Sequence, residues 1–178
     1  STVGNLFHFG QAQVNLGGTV VAATGVLPPS MTSPWAGVNV TEFSVKVDNA
    51  LNTDRFTLQG GSATGATIQQ PTYGLRKITG SMTIEFTAAA LTNIVPAITG
   101  DTTVPIHVKF DTGVAVGAST EQLHILIPAA KFNAEIPNSN GTDIISMKVD
   151  FDGLDLGTAY TLTTGTPPIR SEERRVGK

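Results

Sequence analysis

The sequence predicts a mostly-β fold, a sandwich or barrel of about eight strands with one short α-helix at its flank. Three observations carry this. Segments in which apolar and polar residues alternate recur along the chain, the two-residue period of a strand with one wet face. Charged residues make up only 14% while Gly and Pro number 19 and 10, a balance that suits strands and turns better than helices. One segment alone switches from the strand period to the helical one.

In chain order, "NLFHFGQAQVNL" and "TVVAA" open the fold, and the Pro-rich "GVLPPSMTSPWAG" reads as a connection. "VNVTEFSVKVDN" is a strand whose phase jumps: Val38 and Val40 lie in one phase, Phe43, Val45 and Val47 in the other. A bulge near Thr41 and Glu42 accounts for the jump. "DNALNTD" has turn chemistry, and "RFTLQ" returns before the long "GGSATGATIQQPTYG" loop. In "KITGSMTIEF" the apolar phase is Ile78, Met82, Ile84 and Phe86, with Gly80 in step. From Thr87, a candidate N-cap, the spacing of Ala88, Leu91, Ile94, Val95 and Ile98 suits one face of a short helix. "TVPIHVKFD" places Val104, Ile106, Val108 and Phe110 inward and Pro105, His107 and Lys109 outward, with Pro105 marking an edge or a strand start. "EQLHILIPAAKFNAEI" and "DIISMKVDFDGLDL" follow, the second with Ile145, Met147, Val149 and Phe151 on one face, and "TAYTLTT" closes the body.

A length of 178 residues fits one domain with a proper core. We read residues 1–169 as that domain. The last nine residues, "RSEERRVGK", break from the Thr/Gly style before them and resemble an in-frame translation of a sequencing adapter. They are read as a non-native tail, a reading under which the chain is expected to be a fragment of a longer protein. They hold four basic and two acidic residues, so the remaining seven basic and twelve acidic residues give a body of net charge −5. Such a body is a poor general binder of nucleic acid. No apolar run reaches bilayer-spanning length, so membrane insertion is not expected. The chain has no cysteine, which excludes disulfides and thiolate metal sites.

Catalytic motifs are missing: no G-x-S-x-G, P-loop, dinucleotide fingerprint or H-E-x-x-H occurs. His8, His107 and His124 each sit in an alternating strand without a second histidine or carboxylate at motif spacing, so they read as solvated or hydrogen-bonded strand residues. Asp150, Asp152 and Asp155 around Gly153 have part of a calcium-loop pattern, but the later ligands and closing Glu are absent, and strand alternation already explains Asp150 and Asp152. No metal or cofactor is expected. Asn39 and Asn140 head glycosylation triplets that arise by chance in a Thr-rich chain. Trp35, after Pro34, is read as a plug at the end of a sandwich rather than a binding anchor.

Several pieces in order resemble the tail tube proteins (major tail proteins) of long, non-contractile-tailed phages. These are "VTEFSVKVDNALNTDRFTLQGG", "GLRKITGSMTIEFTAAALTNI", "VPIHVKFD" and "LHILIPAAKFNAEI", preceded by "FHFGQAQVNLGG". The likeness covers approximately residues 5–165 and lies in the order of the strand patterns, since no single motif is diagnostic. It implies a β-sandwich with a flanking helix, and a structural virion protein that self-assembles into stacked, hexameric rings. It further implies a tube through which DNA passes as transient cargo, with the tape-measure and tail-terminator proteins as partners.

Within that resemblance, the outward residues Lys46, Asp48, Lys148, Asp150 and Asp152 are candidates to face the lumen. The loop from Gln59 to Gly74 is the candidate contact between rings, through Gln59, Gly60, Gly61, Ser62, Thr64, Gln69, Gln70 and Tyr73. Long loops without structure of their own are usually functional or disordered. "STVGNLF" and "GVLPPSMTSPWAG" are second candidates. Two other classes compete: another virion β-protein, for capsid decoration or head–tail joining, and a secreted carbohydrate-binding or adhesin sandwich. The latter predicts an aromatic platform, yet Trp35, Tyr73 and Tyr160 are scattered. An enzyme is the weakest reading, because no nucleophile, base and orienting group converge.

Overall fold

A computed structural model describes residues 7–21, 28–52, 56–57, 67–68, 72–116, 119–135, 137 and 145–154. Their strands are β1 (Ala12–Leu16), β2 (Thr19–Val21), β3 (Ser30–Thr32), β4 (Val40–Asp48), β5 (Leu51–Asn52), β6 (Phe56–Thr57), β7 (Thr67–Ile68), β8 (Thr72–Tyr73) and β9 (Lys77–Glu85). After the helix α1 (Ala88–Thr99) come β10 (Thr103–Val116), β11 (Ser119–Asn133) and β12 (Ser146–Gly153). The mostly-β class with one α-helix expected from the sequence holds for the described residues. Of the twelve strands described, six are pieces of two or three residues, too short to show alternation in the sequence. Contacts divide the chain into two compact units.

The first unit holds, among described residues, those up to Trp35 and Pro105–Pro128. Here β1 runs antiparallel to β10, with Val14 opposite Val108 and Asn15 opposite His107, and β10 is bonded to β11 on its other side. β3 lies inside the segment expected to be only a connection, and pairs with β2 through Val20 and Met31. Gly17 has φ +69°, and the Trp35 ring lies where a Cβ would stand, so only glycine fits there. The Trp35 amide donates to the Leu16 carbonyl at 2.9 Å. Trp35 is thus half-buried against the end of β1, as a plug rather than a free anchor.

The second unit comprises Ala36–Val104 and Ala129–Leu154. Its sheet runs from the end of β11 through β12 and β9 to β4, all antiparallel. The register of β4 on β9 shifts between Val40 and Glu42, which is the bulge that the phase jump predicts. β12 alternates strictly, with Met147, Val149 and Phe151 buried and Lys148, Asp150 and Asp152 exposed. Met82, Ile84 and Phe132 are buried beside them. Within "RFTLQ", β6 pairs with β7 rather than with β4, whose partner is β9. Leu51 pairs with Tyr73 and Phe56 with Ile68. The Gly74 amide donates to the Ala50 carbonyl at 2.9 Å.

Helix α1 starts where expected: the Thr87 hydroxyl accepts from the Ala90 amide at 3.3 Å. Its buried face differs from the expected one. Ala90, Ile94 and Ala97 are buried, while Leu91 is 54% exposed. The helix is apolar nearly all round, so spacing alone leaves its rotation undetermined, and small Ala side chains favour the close approach seen at Gly37, where an added Cβ would lie 3.3 Å from the Ala89 Cβ.

Candidate functional site

The ladder of the second unit fixes which polar side chains share a surface, because residues directly opposite across strands point to one face. Asp152 stands opposite Thr79, which stands opposite Lys46; Asp150, Ser81 and Ser44 form the next row; Lys148, Thr83 and Glu42 the one after. Asp48 is opposite Lys77, and Lys131 and Asn133 of β11 are opposite Asp152 and Asp150. All five residues singled out in the sequence as outward, Lys46, Asp48, Lys148, Asp150 and Asp152, therefore lie on one face and are exposed. Of the ring-contact candidates, Gln59, Gly60, Gly61, Ser62, Thr64, Gln69 and Gln70 lie outside the described residues, and Tyr73 is in β8. The segment from Gln59 to Gly74 is not loop throughout, since β7 and β8 fall within it.

This face is a Ser/Thr stripe on β9 edged by paired charges. The Ser44 and Ser81 hydroxyls are 2.9 Å apart, and the Thr83 hydroxyl donates to a Glu42 carboxylate oxygen at 3.0 Å. Lys148 pairs with Asp150 at 3.5 Å, Lys77 approaches Asp152 at 4.0 Å, and Lys131 reaches Asp101 at 2.7 Å. At its end, Asn39 donates to Glu85 at 2.7 Å. Four lysines (Lys46, Lys77, Lys131, Lys148) thus meet five carboxylates (Glu42, Asp48, Glu85, Asp150, Asp152). A groove of about 420 Å³ crosses it between Ser44, Ser81, Asn133 and Asp150. It offers hydroxyls and paired charges but no nucleophile with an adjacent base. Among the described residues no group of three or more His, Asp or Glu is placed to hold a metal; Asp155 lies outside them. The alternation of β9 marks Thr79, Ser81 and Thr83 as its wet face in the sequence; Glu42 and Ser44 were not singled out as outward residues of β4, although its polar phase contained the signal.

Both free edges carry backbone groups without a strand partner among the described residues. β4 pairs on one side alone, with β9, and β1 on one side alone, with β10.

In the first unit His107 is buried, 3% exposed, so of the two expected states, solvated or hydrogen-bonded, it takes the second. Its Nε2 lies 2.9 Å from Nδ1 of His124, and the rings are nearly parallel with centroids 5.2 Å apart. Alternation gave the right phase, opposite to Ile106 and Val108, but the outer face is covered here. Burial, and then the nearby Lys109 charge, hold the His107 imidazole below its ordinary pKa. For His124 burial again leads, followed by His107 and Lys109, with Asp111 opposing. His8 is exposed and stands at the start of a 3-10 turn.

A family model described as "Phage tail tube protein" matches residues 2–167. No curated protein matches the chain.

Proposed function

Because this chain belongs to the phage tail tube protein family, a structural component of the virion tail, we propose that its copies assemble edge to edge into rings, six to a ring, that stack into the DNA conduit. The polar face of β4, β9 and β12 lines the lumen in this reading. The free edge of β4 in one copy receives the free edge of β1 in the next, so that the usual liability of an unpaired edge becomes the means of assembly. The segment from Gln59 to Gly74 meets the neighbouring ring, and the tape-measure and terminator proteins meet the tube inside and at its end.

The observation that carries the reading is the makeup of the polar face. Lysines are outnumbered by carboxylates, several of both are tied in pairs, and the centre is Ser and Thr. Affinity for DNA comes mainly from cations that neutralise phosphates. A wall whose lysines face adjacent carboxylates lets the polyanion slide.

Electron microscopy of the purified chain ending at Ile169, in negative stain at near-neutral pH, tests this. Stacked rings or hollow tubes are expected. A deletion within residues 60–66 is expected to leave a folded protein that forms no tubes. Normal tubes from that deletion would remove the Gln59–Gly74 segment from the ring contact, and a map placing Lys46, Lys148 and Asp150 on the outer wall would overturn the lumen assignment.

A further inference from the structure

The hydrogen bonds around the two histidines run in one direction, and for neutral rings that direction fixes both tautomers. Asp111 is ionised and only accepts; it takes a bond from the Gln122 side-chain nitrogen at 2.8 Å. That nitrogen also approaches the Thr120 hydroxyl at 2.7 Å, so the other end of the amide is the oxygen, an acceptor. His124 Nε2, 2.9 Å from that oxygen, must then carry a proton. A neutral His124 has a bare Nδ1, so His107 Nε2 must donate to it across the 2.9 Å contact. The last member, His107 Nδ1, is a buried lone pair without a partner among the described residues.

We propose that His107 and His124 form an acid-labile lock between β10 and β11, closed only while both rings are neutral. A proton on His124 Nδ1 sets two N–H groups against each other at hydrogen-bond distance. A proton on His107 Nδ1 leaves that bond in place but puts an unpartnered donor and a charge in a buried site, which is costly. Either event destabilises the pair. The surroundings offer little to compensate. β10 contributes Lys109, which opposes a second cation, and Asp111, already engaged by Lys109 at 3.0 Å. β11 contributes Gln122 and Thr120 on this face, with Glu121 in the opposite phase, and β1 contributes the neutral Asn15 and Gln13 opposite His107 and Lys109.

The direction of the pH effect follows from linkage. Both imidazoles lie below the ordinary histidine value of 6.5 in the fold, so the unfolded chain binds more protons. The stability they contribute is complete above that value and is lost as pH falls from it toward the folded values.

The test is made on the full chain. Long-range proton–nitrogen NMR at about pH 7.5 is expected to show both rings as Nε2–H tautomers, titrating together below the ordinary histidine midpoint. Amide exchange at Val108 and His124 is expected to accelerate on going to about pH 5, ahead of exchange in β9 and β12. A His107→Gln variant keeps a donor toward His124 but cannot take a proton, and is expected to lose less of its urea midpoint over that range. A Nδ1–H tautomer on either ring, or independent titration at the ordinary midpoint, would overturn the lock. So would equal midpoint shifts in the variant and the parent. If the variant does not fold, the tautomer and exchange measurements on the parent chain decide alone.

Discussion

The ring of Phe151 lies across Gly80 and stacks on Phe43, centroids 5.7 Å apart and planes 20° from parallel. The two rings belong to β12 and β4, which are not neighbours; β9 runs between them, and Gly80 stands opposite both Phe151 and Val45. A glycine in the middle of a strand costs stability by itself. Here its empty Cβ position is filled by an aromatic ring from the next strand, which recovers the lost packing.

Gly80→Ala should therefore destabilise although alanine suits the strand. Its Cβ would press on the Ser44 carbonyl oxygen and the Phe151 ring, and overpacking of this kind costs about 1–3 kcal/mol. Chemical denaturation should show that loss. A double-mutant cycle with Phe43→Leu and Phe151→Leu should return a coupling of about 0.5–1.5 kcal/mol. A neutral Gly80→Ala would mean the ring has another place to go.

Thr87→Ala tests the switch from strand to helix. The Thr87 hydroxyl accepts from Ala90 and donates to the Gly37 carbonyl at 3.2 Å, so one side chain both caps α1 and ties it to the preceding segment. The expected cost is about 1 kcal/mol, with Thr87→Ser recovering most of it. An unchanged urea midpoint would show that backbone contacts suffice to start the helix.

Asp111 should govern the acid limb of stability. The Gly113 amide and then the Lys109 side chain hold its carboxyl down at about 2, from the ordinary carboxylate value of 3.8. A depressed carboxylate contributes stability that is complete above the unfolded value and is lost as pH falls toward the folded one. Asp111→Asn is thus expected to lower the urea midpoint at neutral pH and to flatten its decline between about pH 4 and pH 2. This window lies below that of the histidine pair, so the two can be read separately. An identical acid limb in both proteins would show the turn at Gly113 to be indifferent to the charge.

What the sequence disclosed depends on how local each cause is. β12 was legible because Met147, Val149 and Phe151 alternate without interruption with Lys148, Asp150 and Asp152. The bulge at Thr41 and Glu42 was legible because it leaves a phase error in the letters, and the cap at Thr87 because hydroxyl and amide are three residues apart. The rotation of α1 was not, since Ala90 and Leu91 are both apolar and the neighbouring structure chooses between them. His107 showed its phase but not its cover. The seat of Phe151 on Gly80 joins residues 71 apart through a strand register that neither segment contains alone. The polar face shows the same divide. Its members could be named from each strand's outward phase, but the rows that pair Lys with Asp exist only after β4, β9 and β12 are aligned.

Those rows give the last prediction. If the face lines a conduit, its carboxylates keep the lysines from holding DNA. Asp150→Asn with Asp152→Asn removes the partners of Lys148 and Lys77 without changing the shape of the exposed surface. The monomer's stability should move by less than about 1 kcal/mol, because exposed ion pairs contribute little. The assembled tube should behave otherwise, since every copy would present four lysines against three carboxylates along a continuous wall. Tubes of the double variant are expected to retain DNA at about 50 mM salt and release it toward 200 mM, the steep dependence that counterion release produces, while tubes of the parent chain retain none. Retention by both, or by neither at low salt, would place this face somewhere other than the lumen.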